Sequence, residues 1–263
     1  MLTHRWALLL DGSFVIRKLR NLLGRHPEAD DVIRLIDALR HHPELHGGYL
    51  LRAYFYDAPP ADGTLPGVLG GDSLDLSTTD VKKRRESLLT RLEHARDVAV
   101  RLGQTAVRGW RLRQGVLKGM RKDPRPLGPD DLYPAIEQKG VDLRIGLDIA
   151  RLSLQHLVDI VVVVTADSDF VPAFKFARRE GLRVYLAPLG HGVRSELKVH
   201  ADVVLDLDMA GDVVAGGRAG SRGARRPARA GPVPQVRRSA RVAARSMGHV
   251  PRVRELPGVP VHA

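Results

Sequence analysis

Five consecutive β-branched residues, Ile160–Val164, sit within the segment Asp159–Thr165 (DIVVVVT), and the motif Asp167-Ser168-Asp169 follows directly. A strand that is apolar on both of its alternating faces cannot leave either face to water. Such a run predicts a central strand of a parallel sheet covered on both sides. Shorter apolar segments predict further strands at Trp6–Leu10, Tyr49–Tyr56, Arg183–Ala187 and Val203–Leu207, with a strand or hairpin over Thr105–Val116. Helical periodicity appears in Ala29–Arg40, Val81–Leu102, Val141–Leu157 and Phe170–Glu180, and Gly103 is the stop signal for the second of these. Residues 58–79, rich in Pro, Gly, Asp and Ser, read as a long loop. Strands alternating with helices predict an α/β fold, a three-layer sandwich with a mostly parallel central sheet.

Charge divides the chain. Of the net charge of +12, nine units fall in residues 211–263, where eleven arginines face only Asp212 and Glu255. That segment also holds eight Gly, six Pro and no aromatic residue, too little apolar surface to offset the entropy of ordering. The expected organisation is a folded domain over 1–210 and a basic, Arg/Gly/Pro-rich disordered tail over 211–263. A flexible cationic tail suits a polyanion such as nucleic acid, although a solubilising extension has the same composition. The absence of cysteine excludes disulfides, thiolate nucleophiles and Cys-ligated zinc or iron–sulfur centres. No apolar run approaches the length of a membrane span, and Asp11 interrupts the N-terminal run too early for a signal peptide. The expectation is a cytoplasmic protein with no membrane partner; a homo-oligomer is left open.

Parallel α/β sheets bind ligands beyond the carboxyl ends of their strands. Asp11 immediately follows the first strand, and Asp167 and Asp169 follow the valine-rich one; Asp142 opens a helix, with Asp148 six residues further on. If the strands are neighbours, these acids share one rim, where their mutual repulsion calls for a cation. An all-oxygen donor set favours Mg²⁺ or Mn²⁺ over zinc or copper. Capping of a helix or turn is the ordinary role of any one such Asp, so the combination carries the metal reading.

At these residues the chain resembles the NYN domain family, a PIN-like metal-dependent ribonuclease fold, in its LabA-like branch. The resemblance rests on LLLDG (8–12), QKGVDLRIGLD (138–148), VVVVTADSDFVP (161–172), REGLRVYLAPLG (179–190) and RSELKVHADVVLDL (194–207). It implies that Asp11, Asp142 and Asp167 are the principal catalytic and metal-binding acids, joined by Asp169 and, as a further metal ligand, Asp148. It also places Lys139 and Ser195 near substrate phosphates, and implies Mg²⁺ or Mn²⁺ as cofactor and RNA as substrate. One position departs: many members carry Asn three residues after the first Asp, where this chain has Phe14, and Ser13 sits one residue too early to take over.

Basic residues are expected around such a rim. Arg108, Arg111, Arg113, Lys118, Arg121, Lys122 and Arg125 cluster about Trp110, with Arg111 and Arg113 as candidate substrate contacts; Lys82–Arg85 stand at a helix N-terminus, where the dipole disfavours cations. A solvated face accounts for either run equally simply. The His42/His46 pair is broken by Pro43, and Gly67–Gly71 lacks the Lys of a phosphate loop. Three functions compete: a metal-dependent ribonuclease, a catalytically weak or inactive RNA-binding regulator of the same fold, and an aspartyl-phosphate phosphohydrolase. The last needs a second acid where Ser13 stands. Deleting 211–263 should flatten the salt dependence of RNA binding, measured by fluorescence anisotropy across a salt series; an unchanged slope removes the tail from the interface.

Overall fold

The computed structural model describes residues 4–214, so the tail expected over 211–263 lies almost wholly outside the described residues. The central sheet has six strands, all parallel: β1 (Arg5–Asp11), β2 (Tyr49–Asp57), β5 (Val98–Leu102), β8 (Ile160–Val164), β9 (Arg183–Leu186) and β10 (Val203–Val204), in the order β10-β9-β8-β1-β2-β5. Two antiparallel hairpins lie outside it, β3 (Thr64–Leu65) with β4 (Leu74–Asp75) and β6 (Gln104–Leu112) with β7 (Leu132–Lys139). The helices are α1 (Gly12–Leu23), α2 (Ala29–Arg40), α3 (Asp80–Glu93), α4 (Val116–Met120), α5 (Val141–Leu154), α6 (Val171–Arg179) and α7 (Ser195–Val199).

The alternation of β1 builds both cores at once. Trp6, Leu8 and Leu10 pack on one face with Phe14, Val15 and Leu19 of α1, with α2, and with Leu88 and Leu92 of α3. Ala7 and Leu9 point to the other face, against Ile145 and Ile149 of α5 and Phe174 and Ala177 of α6. All five residues Ile160–Val164 are buried, as a strand covered on both sides requires. From β1 the chain winds outward through β2 to β5; from β8 it winds the opposite way through β9 to β10. Right-handed crossovers then put the connecting helices of the two halves on opposite faces. The direction reverses between β1 and β8, which is where an open α/β sheet leaves a crevice for a ligand.

Two segments differ from the periodicity reading. Val81–Leu102 is not one helix: α3 ends at Glu93, Asp97 takes a left-handed backbone (φ 61°), and Val98–Leu102 becomes the edge strand β5, paired with β2. Ala95, Ala99 and Leu102 extend the helical spacing only by coincidence, and the alternating β-branched Val98 and Val100 beside an available sheet edge prevail. The strand expected near Thr105–Val116 pairs with β7 across a long connection. Helix α1 goes beyond the segments that periodicity named. It is capped by Asp11, whose Oδ1 accepts from the Phe14 N–H at 3.2 Å, and closed by left-handed Gly24 (φ 68°).

The basic run at Lys82–Arg85 is partly neutralised by the fold. Lys82 pairs with Asp62 at 2.9 Å, and Arg85 reaches the carboxylate of Asp57, which is fully buried at the end of β2. Asp57 Oδ1 also accepts from the Ala58 N–H at 2.8 Å and from Gln138 Nε2 at 3.1 Å, while Oδ2 has no partner among the described residues. Removing Arg85 would strand this charge. Arg85→Ala is therefore expected to cost roughly 3–5 kcal/mol in urea unfolding, whereas Arg85→Met with Asp57→Asn costs clearly less. Equal losses in the two proteins would mean that the pair is not what stabilises this corner.

Candidate active site

At the switch point, three separate stretches of chain deliver four carboxylates to one cleft of 630 Å³. Asp11 comes from the carboxyl end of β1, Asp142 from the first turn of α5, and Asp167 and Asp169 from the turn that follows β8. Local structure fixes each of them. Gly12 lies so close to β2 that an added Cβ would sit 2.5 Å from the Tyr56 carbonyl oxygen, so the turn leaving Asp11 tolerates no side chain there. Gly140 adopts a left-handed conformation (φ 72°) that starts α5 and turns Asp142 to the rim. Asp167 caps the turn after β8 by accepting from the Asp169 N–H at 2.9 Å. Thr165, fully buried, joins the two strand ends: its Oγ1 donates to Asp11 Oδ2 at 3.5 Å, a long contact, and accepts from the Asp167 N–H at 3.2 Å.

None of the four acids has an ion-pair partner within salt-bridge distance among the described residues. Their electrostatics follow. Burial raises the Asp11 pKa, the Phe14 N–H opposes the shift, Asp142 adds to it, Arg17 opposes it and Asp167 adds to it. Asp142 is exposed overall, yet loss of water at its carboxylate raises its pKa, and Asp167 and Asp169 raise it further. Hard oxygen donors gathered without an ion-pair partner among the described residues fit a divalent metal in their chemistry. In their geometry they are more open: among the described residues, no three acidic or histidine side chains stand close enough to hold an ion as placed.

Asp148 is not in this cleft. Six residues along α5 is about 600° of rotation, so it projects roughly 120° away from Asp142. There its Oδ2 accepts from Tyr56 Oη at 2.8 Å and stands 3.5 Å from Arg101 Nε. The four residues expected to touch substrate also lie off the lining of the cleft. Lys139 is exposed at the end of β7, and Ser195 is exposed at the start of α7. Arg111 is engaged by Glu137, and Arg113 Nε donates to the Asp130 carbonyl at 2.9 Å. Trp110 Nε1 donates to the Pro66 carbonyl at 2.8 Å, a packing role.

Residues to which the sequence reading assigned no role line the cleft instead: Arg17 on α1, Gln138 on β7, and His191 and Arg194 in the loop before α7. Reading 12–23 as a helix is the signal that finds Arg17, since it lies one turn after Ser13. Phe14 is 2% exposed; its ring meets His191 edge-on at 6.0 Å and underlies Arg17 at 5.8 Å. An apolar side chain thus stands where the resemblance implies an Asn, and Ser13 donates to Gln138 Oε1 at 2.8 Å.

Fold and cleft together define an α/β domain with a six-stranded parallel sheet whose acids gather where the winding of the strands reverses. The chain belongs to the NYN domain family, whose family model matches residues 7–208. NYN domains fall within the PIN-like nucleases, which are hydrolases. Among solved structures, a crystal structure of a protein of unknown function from Vibrio parahaemolyticus is similar, at 14% identity and a TM-score of 0.41, over 77% of this chain and 92% of that one. No curated protein matches. Among the described residues, no helix is long and apolar enough to cross a membrane.

A folded-state pKa above the unfolded value means that the fold holds a proton which the unfolded chain releases. The associated stability is complete below about pH 4 and is lost as pH rises through the raised value. Asp11→Asn keeps the cap and removes the charge. In metal-free buffer near pH 7 it should raise Tm by roughly 2–4 °C, as about 1 kcal/mol does in a domain of this size, and the gain should vanish near pH 3. A lower Tm at neutral pH would show that Asp11 already has its countercharge.

Proposed function

We propose that this protein is a metal-dependent ribonuclease that hydrolyses RNA phosphodiester bonds with a water activated by Mg²⁺ or Mn²⁺. One observation carries the reading: Asp11, Asp142, Asp167 and Asp169 face a single cleft with no neutralising ion pair among the described residues. Asp11, Asp142 and Asp167 would hold the metal, with Asp169 assisting. When bound, a divalent ion there lowers the pKa of a coordinated water and neutralises charge developing on the phosphate. The chain's own groups do the rest. Arg17 and Arg194, which line the same cleft, would supply guanidinium groups to a phosphate. Thr165 holds Asp11 and Asp167 in fixed relation, and the Ser13–Gln138 hydrogen bond borders the cleft. Asp148, tied to Tyr56 and Arg101, acts as a structural acid beneath α5.

A second reading, an RNA-binding regulator with little or no hydrolysis, draws on the apolar Phe14 wall and on the spacing of the acids. One assay separates the two. The full chain should cleave 5′-labelled single-stranded RNA with Mn²⁺ or Mg²⁺ and stop with chelator, and Asp11→Asn and Asp167→Asn should reduce cleavage to background with the fold intact by circular dichroism. Binding without cleavage in every metal arm selects the regulator; undiminished turnover in both variants removes these acids from the chemistry.

A further inference from the structure

Beside the acidic cleft lies a second depression of 720 Å³, between α1, the start of α3, the 58–79 loop and the β6–β7 hairpin. Its charge is one-sided: five arginine and lysine side chains line it, and no carboxylate does. Lys82 and Arg85 are held by Asp62 and Asp57, but Arg17, Arg20 and Arg84 are exposed and have no carboxylate partner among the described residues. Their field reaches a neighbour, since loss of water and then the Arg20 and Arg84 charges hold the His26 imidazole below its ordinary pKa. The floor is apolar, with Ile16, Leu88 and Ile136 beside Pro59, Pro60 and Pro134. Ser13, Arg17 and Gln138 line both depressions, so the groove adjoins the acidic cleft along these residues.

We infer that this groove is the track for the RNA strand flanking the scissile bond, with Arg17, Arg20 and Arg84 on its phosphates and the unpaired bases against the proline and aliphatic floor. The charge complementarity selects a polyanion, and the apolar floor selects one whose bases are free, as in a single strand. Without an aromatic platform, the floor offers only apolar packing and stacking contributes little, so the groove grips without reading sequence. The direction of the strand, out of the cleft over Arg17 and between α1 and α3, rests on the nuclease reading; the binding surface does not.

Full-length Arg20→Glu/Arg84→Glu tests the groove without touching the cleft. With chelator present, anisotropy on a fluorescein-labelled single-stranded 20-mer should show Kd rising at least about tenfold. The slope of log K against log salt should fall by about 1.4, at about 0.7 for each phosphate no longer neutralised. With Mn²⁺, KM for the 20-mer should rise at unchanged kcat, as removal of uniform binding requires, while turnover of a trinucleotide stays at the wild-type level. Arg151→Glu/Arg179→Glu, the same charge change on helices of the opposite face, is the control and should alter Kd much less. Unchanged Kd and slope, or an equal weakening in the control, overturns the groove even if the protein cleaves RNA. Groove-dependent binding in a protein that never cleaves RNA upholds the groove and overturns only the nuclease reading.

Discussion

The parallel pairing of β1 with β8 is the constraint on which the rest depends. Trp6–Leu10 lies alongside Ile160–Val164 in register, joining segments about 150 residues apart. That pairing sets the sheet's reversal of winding, and it puts Asp11 and Asp167 at adjacent strand ends with Thr165 hydrogen-bonded to both. Both strands are buried on both faces, so a slip of one residue would exchange the two cores and displace the acids together. The apolar register that stabilises the domain is therefore also what aligns its chemistry.

The acids stand against ordinary packing logic. Elsewhere the chain compensates its buried carboxylates: Asp31 is met by Arg25 and Arg34, and Asp57 by Arg85 and Gln138. In the cleft, with arginines close by on α1 and before α7, Asp11 and Asp142 have no ion pair among the described residues, and burial first and neighbouring acids next raise their pKa. Strain of this kind persists where function requires it, and clustered perturbed acids in a cleft are the usual mark of such a place. Arg17 illustrates the balance: it lowers the Asp11 pKa from a distance without forming an ion pair, and its guanidinium remains available to a phosphate.

Much of this was legible in the sequence because it is local. DIVVVVT declares a two-sided strand by composition alone, and the order of apolar segments declares the α/β class. The acids were legible as strand-end and helix-start residues, but whether they share a rim depends on strand order, which no local pattern encodes. Asp148 shows the limit of motif spacing, since helix rotation turns it toward Tyr56 and Arg101. The β5 strand was hidden because pairing with β2, a non-local event, overrode a helical stripe. Strand β7 was hidden because Pro134 interrupts its apolar first half and Glu137, Gln138 and Lys139 fill its second, though Pro134 sits opposite Trp110 in the hairpin. Arg111 and Arg113 drew attention as a dense basic run, yet the hairpin supplies its own partners in Glu137 and the Asp130 carbonyl.

Helix α1 joins the core to both depressions. Its first residue, Gly12, is pressed against β2 and fixes the exit of Asp11; its inner face, Phe14, Val15 and Leu19, belongs to the core. Its outer face carries Ser13, Arg17 and Arg20 at helical spacing, and these face the acidic cleft first and the basic groove next. One helix of twelve residues thus meets both the negative and the positive depression, with the change of sign falling within two turns. A polyanion drawn to the arginines meets four carboxylates at the cleft, which repel it except where a cation offsets their charge.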